Sequence, residues 1–217
     1  SEYCREFLPS MIEHVVVSNI SNKSNKSTEE QDQVIVESIV STFRAVDVDF
    51  LKHCWDNGIG NVGTTVTTVL CCNGTIYCAN AGDSRTVLCR NGQSINLSHD
   101  HKPTDTNEET RIRGCGGFVV AGVSSLTPFF SFTTFLCKVT CNATISFTHN
   151  FQFLCLFFLF FQRVMGKLAV SRAIGDSQFK RLKGKLMTDF SISSPLVIPD
   201  PDVTCTKIKP NEDEFII

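Results

Sequence analysis

The sequence has almost no net charge, because 20 basic and 22 acidic side chains leave −2 at neutral pH. No field of one sign therefore draws the chain to nucleic acid or to an anionic membrane surface, and we expect neither partner. Residues 1–10 also lack the basic segment, followed by an apolar segment, that is typical of a secretory signal peptide. These absences favour a cytoplasmic or nuclear protein.

The 11 cysteines include no Cys-x-x-Cys pair, which argues against a zinc site. Cys71, Cys72, Cys78 and Cys89 lie in apolar, strand-like runs, where cysteine is typical as a small core residue. The total of 11 cysteines is odd, so we expect a reduced protein rather than a disulfide scaffold.

Acidic residues are missing altogether from residues 120–162, a segment that holds 11 of the 18 phenylalanines. This composition is not that of a normal solvated loop. Its most apolar run, residues 151–161, has about half the roughly 20 residues that a helix needs to cross a membrane. We therefore expect no stable membrane insertion.

The remaining pattern predicts two helices followed by antiparallel strands. The helices cover residues 1–19 and about 29–53. In the second helix we expect Thr28 as the cap and Ile39, Phe43 and Val46 in the apolar stripe. Trp55, at the end of this helix, is expected to be a packing residue. Asn-Gly pairs at 73–74 and 91–92 are hairpin signals. The predicted strands are 63–72, 75–81, 85–90, 93–97, one that begins at 118–119, 163–174, 202–209 and 214–217. Asp105 or Thr106 is expected to cap a short helix that runs to about Cys115. Helices followed by strands indicate one α+β domain.

The most informative stretch is residues 81–92, AGDSRTVLCRNG. It places Asp83 in a Gly-Asp-Ser turn between two predicted strands. Carboxylate oxygens are the ligands that Mg²⁺ and Mn²⁺ prefer, so such a residue can serve metal chemistry. The same three residues are also ordinary turn composition, and the turn alone leaves both interpretations open.

Six motifs in a fixed order extend this signal across residues 62–217, apart from the Phe-rich insert. Together they make the chain resemble the type 2C family of metal-dependent serine/threonine protein phosphatases, and its plant members most closely. The motifs are VGTTV at 62–66, AGDSRTVLCRNG at 81–92, LSHDHKP at 97–103, RIRGCGGFV at 111–119, RVMGKLAVSRAIGD at 163–176 and LVIPDPDV at 196–203.

The resemblance implies a four-layer α-β-β-α sandwich with a pair of Mg²⁺ or Mn²⁺ ions at one edge. It implies hydrolysis of phosphoserine and phosphothreonine in protein substrates, protein kinases among them. It makes Asp83 a metal ligand, the one ligand that can be placed in this chain. No catalytic or substrate-binding residue can be assigned.

Other motif residues are expected to be structural. Ser84 and Arg85 match positions that shape the Gly-Asp-Ser turn. His101 is expected to be a hydrogen-bonded turn histidine rather than an acid or base. Arg172 and Asp176 are expected to be a buried pair that orders the neighbouring flap.

The chain departs from the family pattern in three places. The Asp-Gly-His-Gly-Gly motif is expected before Ser1 and the Asp-Gly-x-Trp-Asp motif after Ile217, so residues 1–217 are expected to be a single partial domain, inactive alone. The insert, residues 120–162, interrupts a short hairpin, and our hypothesis is a retained intron, because its removal leaves the family join at Arg163. No tryptophan occurs in that hairpin, so binding to a plant hormone receptor is not expected. The alternative to an enzyme is a non-catalytic, pseudophosphatase-like module that binds proteins.

Overall fold

The computed structural model describes residues 1–21, 27–123, 160–180 and 193–217. Within these ranges a helical pair is followed by strands that form antiparallel sheets, which confirms the α+β class. The elements are, in chain order, α1 (Glu2–Ser21), α2 (Thr28–Asp56), β1 (Gly63–Thr64), β2 (Val66–Cys72), β3 (Thr75–Ala81), β4 (Val87–Arg90), β5 (Gln93–Asn96), α3 (Thr106–Gly114), β6 (Val119–Val123), β7 (Phe160–Val164), β8 (Ile174–Gly175), β9 (Asp202–Lys207) and β10 (Asp213–Ile216).

Helices α1 and α2 pack on one face of the sheet β2-β3-β9. The central strand β3 is buried along its whole length, and Tyr77 and Ala79 face the helices. Burial of Ile39, Phe43 and Val46 confirms the predicted stripe of α2. This layer is the largest apolar core among the described residues, and its burial is the main force that holds the helical pair on the sheet.

Three sequence predictions about this layer are wrong. The cap of α2 is Ser27, not Thr28, because Ser27 and Glu30 form a reciprocal capping box. Trp55 is 71% exposed and is not a packing residue. Of the strand cysteines, Cys78 is buried as predicted, but Cys71 is exposed, since it lies on the outer strand β2.

The second sheet, β10-β4-β5, packs against the first through Ile76, Cys78, Leu88 and Leu97. Both Asn-Gly hairpins are confirmed: Asn73 and Asn91 have φ of 50° and 51°, and each precedes a glycine with positive φ. Such turns follow the right-handed twist of the flanking strands. Two sheets therefore face each other, joined by the segment between β3 and β4.

Strands β6 and β7 form a hairpin that packs beside α3. Its arms pair Val119 with Val164 and Val123 with Phe160, so both ends of the insert extend the hairpin. Residues 124–159 lie outside the described residues, as do most of the apolar run and any structural evidence on the intron hypothesis. No helix in the ranges that the structure describes is long and apolar enough to span a membrane.

The predicted strand 163–174 is wrong over most of its length. After β7 the chain turns at Met165 and Gly166, which have φ of 50° and 70°. Isolated bridges follow at Leu168 and Arg172, and the next strand is β8, where Gly63 pairs with Gly175 and Thr64 with Ile174. Apolar composition alone did not reveal this turn.

Candidate functional site

Asp83 lies in the turn that leads from β3 in one sheet to β4 in the other. Gly82, before it, has a φ of 121°, and a Cβ there would lie 2.4 Å from Cγ2 of Thr65. Only glycine fits this conformation and this close approach. The hydroxyls of Ser84 and Thr65 are 2.9 Å apart, so the turn is also tied to the residue before β2.

The Asp83 side chain is 33% exposed, and its Oδ2 lies 2.6 Å from Nζ of Lys102. Nζ of Lys102 is also 3.6 Å from Oδ2 of Asp100. The other oxygen of Asp100, Oδ1, lies 2.7 Å from Nε of Arg85. The hydrogen bond from Arg85 lowers the pKa of Asp100, so this carboxylate stays ionised. Asp83 is thus an accessible carboxylate whose partner is a flexible, partly exposed lysine.

His101 is 98% buried behind this turn. Its backbone N–H donates to the carbonyl of Gly82 at 2.9 Å, and its Nδ1 accepts from the N–H of Gly82 at 3.1 Å. Its own carbonyl accepts hydrogen bonds from the backbone N–H and the hydroxyl of Ser171. These contacts agree with the predicted turn histidine.

The other edge of the His101 ring faces an ion-pair network. Nε2 lies 3.1 Å from Oδ2 of Asp202, but the two groups are not aligned for a good hydrogen bond. Arg172 contacts both Asp202 and Glu108 at 2.7 Å. The His101 imidazole and Arg172 lower the pKa of Asp202 to about 2, against the effect of burial. Burial raises the pKa of Glu108, but hydrogen bonds from Arg172, Ser171 and Arg111 outweigh it and lower that pKa to about 2.

Arg172 and Asp176 do not pair with each other, so the expectation of one buried pair is corrected. Asp176 has a φ of 54° and lies in a second charged cluster with Asp47 and Lys180. Nζ of Lys180 is 2.5 Å from Asp47 and 2.7 Å from the carbonyl of Ala173. Asp47 also accepts from the N–H of Gly175. The two residues thus flank β8 and belong to separate networks.

Sequence reasoning missed Asp47 and Lys180. Both side chains are about 95% buried. Asp47 lies in the middle of α2 beside the apolar stripe, and a charged residue at core spacing was the available signal. Burial raises the pKa values of Asp47 and Asp176 and lowers that of Lys180.

A cavity of about 290 Å³ opens on the far edge of the His101 ring. It is lined by His99, His101, Asp105, Thr106, Asn107, Glu108, Arg172 and Asp202. Asp83 is not among the lining residues, so the cavity and the Gly-Asp-Ser turn are distinct features that share His101.

The described residues supply one candidate ligand for a divalent ion rather than a complete site. Asp83 fits a ligand position, because it is a hard oxygen donor that water reaches. The parts of the chain that the structure describes contain no group of three or more His, Cys, Asp or Glu residues that could hold an ion. The predicted two-metal centre therefore does not assemble from these ranges alone.

A family model described as Protein phosphatase 2C matches residues 2–133 and 154–217. The chain belongs to the protein phosphatase 2C family. The gap in the match, residues 134–153, falls inside the Phe-rich insert. The family model also matches residues 120–133 and 154–162, so an interruption over the whole of 120–162 stays a prediction.

Individual relatives agree with this family. The chain is 33% identical over 220 residues to Protein phosphatase 2C homolog 2 of Schizosaccharomyces pombe, covering 100% of the chain and 43% of the relative. It is 30% identical over 222 residues to human Protein phosphatase 1B, covering 100% of the chain and 36% of the relative. Against Protein phosphatase 2C 1 of Paramecium tetraurelia, identity is 30% over 98% of the chain and 57% of the relative. The chain thus spans about 36–57% of the length of these relatives, and the greater likeness to plant members stays a prediction.

Two solved structures share the fold. Serine-threonine phosphatase 2C of Toxoplasma gondii aligns with a TM-score of 0.60 at 16% identity, over 98% of this chain and 62% of that one. A sex-determining protein of Caenorhabditis elegans aligns with a TM-score of 0.57 at 16% identity, over 98% and 38%. At this identity the likeness supports the architecture of a protein phosphatase 2C and nothing about residues.

Proposed function

We propose that the protein containing this chain is a metal-dependent phosphatase that hydrolyses phosphoserine and phosphothreonine in proteins. The observation that carries the proposal is the position of Asp83. Its carboxylate lies in the turn that connects the two sheets, and one third of the side chain is exposed to water. The family match and the ordered motifs support the same chemistry.

Asp83 is the residue of this chain that would hold Mg²⁺ or Mn²⁺, with the remaining ligands supplied by other parts of the protein. When bound, such ions lower the pKa of water and neutralise charge on a transferring phosphoryl group. The chain's own contribution is to present one carboxylate on a fixed backbone. Arg85 occupies Asp100, so Lys102 pairs chiefly with Asp83.

The substrates on this proposal are phosphorylated proteins, protein kinases among them, met in the cytoplasm or the nucleus. Residues 1–217 form a single partial catalytic domain interrupted at about 120–162. These finer points follow from the motif resemblance and are part of the proposal.

Phosphate release from a phosphothreonine peptide tests the proposal. The complete gene product that contains this segment should release phosphate with Mn²⁺ and lose the activity in EDTA. Asp83→Asn should reduce kcat/KM by at least about tenfold if a carboxylate charge is lost from the metal centre. A matched control is Asp56→Asn, an exposed residue at the end of α2.

A second candidate is a non-catalytic, pseudophosphatase-like module that binds proteins. It is favoured by the same pairing, since Lys102 already neutralises Asp83 and the described ranges contain no three-residue ligand group. Absence of Mn²⁺-dependent phosphate release from the complete gene product would favour this candidate over the enzyme.

A further inference from the structure

The backbone N–H and carbonyl of Gly82 need hydrogen-bond partners from outside the turn. Gly82 has a φ of 121° and lies just beyond the last pair of the β2–β3 ladder, and because it is buried its N–H and carbonyl require partners inside the protein. Asn80 donates to the Gly82 carbonyl at 3.0 Å. Among the residues that the structure describes, His101 is the further partner of both groups of Gly82.

His101 contacts Gly82 twice, once with its backbone and once with its ring. The backbone N–H donates to the Gly82 carbonyl, and Nδ1 accepts from the Gly82 N–H. Because Nδ1 is the acceptor, a neutral ring carries its proton on Nε2, which faces the ionised Asp202 at 3.1 Å. Arg172 fixes Asp202 in turn at 2.7 Å.

The geometry points to His101 as the positioning residue of Asp83. It holds Gly82, the residue directly before Asp83, by two hydrogen bonds, and it ties Gly82 to Ser171 and Asp202 in distant parts of the sequence. His101 touches neither the carboxylate nor Lys102 Nζ in any contact of the described residues, so its effect passes through the Gly82 backbone. The functional meaning of this clamp rests on the proposed function of Asp83.

Two amide substitutions separate the two edges of the ring. Asparagine places a side-chain oxygen where Nδ1 lies and keeps the acceptor for Gly82. Glutamine places its amide where Nε2 lies and keeps the contact with Asp202, but not the acceptor. Leucine keeps volume and loses both. A merely space-filling histidine would not distinguish His101→Asn from His101→Gln.

Amide hydrogen exchange of Gly82, followed by NMR on the whole chain, is the test. We expect exchange in His101→Asn close to that of the wild type, and exchange at least about tenfold faster in His101→Gln and His101→Leu. The N–H of Ala79 in the central strand is the internal control for global unfolding. If Gly82 and Ala79 accelerate together in every variant, or if His101→Asn exchanges as fast as His101→Leu, His101 is not a positioning residue.

Mn²⁺ added to the complete gene product with the same four residues at position 101 separates this inference from the proposed function, because the described ranges of this chain supply one candidate ligand. In the wild type and His101→Asn, Mn²⁺ should broaden the amide signals of Asp83 and Ser84, and His101→Gln and His101→Leu should need several times more Mn²⁺ for equal broadening. Equal broadening in all four proteins would overturn the positioning role. Absence of broadening in the wild type would instead count against Asp83 as a ligand, while the exchange ranking would still decide the role of the clamp.

Discussion

Two lysine–aspartate pairs of nearly equal length occupy opposite environments in this molecule. Lys102 lies 2.6 Å from Asp83, and Lys180 lies 2.5 Å from Asp47. The side chains of the first pair are 38% and 33% exposed, and those of the second are 5% and 6% exposed. The contact distance therefore does not tell what each pair does.

The two pairs differ in whether water can stabilise one charge when its partner leaves. At Asp83, solvent stabilises either charge if the partner leaves, so the pair costs little to open and the carboxylate remains available to another cation. At Asp47, no water compensates a lost partner, and the pair is fixed further by Gly175 and Ala173. We infer that the buried pair holds β8 on helix α2, and that the exposed pair is exchangeable.

Removal of the buried charge should have the largest effect. Asp47→Asn removes the carboxylate that binds the Lys180 ammonium in the core and leaves Asp176 as an acidic neighbour without that hydrogen bond, and we expect a loss of about 3–5 kcal/mol in the free energy of unfolding. Urea unfolding followed by circular dichroism measures it. A loss below about 1 kcal/mol would show that the buried pair behaves like a surface pair.

Glu108 should make stability depend on acidic pH. Its pKa in the folded protein is about 2, below its ordinary value of 4.5, so its stabilising effect is complete above about pH 4.5 and is lost as the pH falls towards 2. Between pH 6 and pH 3 we expect this group to account for a loss of about 2 kcal/mol. Urea unfolding of Glu108→Gln should show a pH dependence shallower by that amount. An unchanged slope would mean that the carboxylate is not held ionised by Arg172. We assign less to Asp202, because its side chain is 54% exposed.

Gly63 tests the packing around the buried cluster. An added Cβ would lie 2.2 Å from the carboxylate of Asp176, so Gly63→Ala must displace that side chain or its strand. We expect a loss of about 1–3 kcal/mol in the free energy of unfolding. Gly60→Ala is the control, because no atom lies within 4 Å of its added Cβ and its φ is not positive. Equal stability of the two variants would contradict the close packing of β1 on β8.

The exposed pair should have the smallest effect on stability. Asp83→Asn removes a pair that is one third exposed, and we expect a change within about 1 kcal/mol. The same urea titration as for Asp47→Asn allows a direct comparison of identical chemical changes. A loss similar to that of Asp47→Asn would end the distinction between the two pairs.

The sequence predicted most of the helices and strands and some of the residues in each ion-pair network. The reasons for its failures are physical. Periodicity located α1 and α2 because their buried faces repeat every three or four residues, and Asn-Gly pairs located two hairpins because few residues adopt positive φ. The same rules failed at residues 163–174, where a turn at Met165 interrupts an apolar run. Gly166 in this turn is a typical turn residue, but the apolar residues around it were given more weight than the glycine.

Long-range partners were beyond sequence reasoning from one chain. Asp83 was singled out by its turn, yet its pairing with Lys102 joins residues 19 positions apart. Asp47 and Lys180 are separated by 133 positions and had no motif around the first of them. The expected pair Arg172–Asp176 failed for the same reason, because proximity in sequence was taken for contact. Tertiary contacts decided all three cases.

The central claim is that Asp83 is held open for a cation rather than buried for stability. The most direct test is a Mn²⁺ titration of the complete gene product that contains this segment, as wild type and as Asp83→Asn, followed by the NMR amide signals of the Gly82-Asp83-Ser84 turn. We predict broadening at this turn in the wild type and its loss in Asp83→Asn, with both proteins equally folded. Broadening that persists unchanged in Asp83→Asn, or that never occurs at the turn in the wild type, would contradict the account.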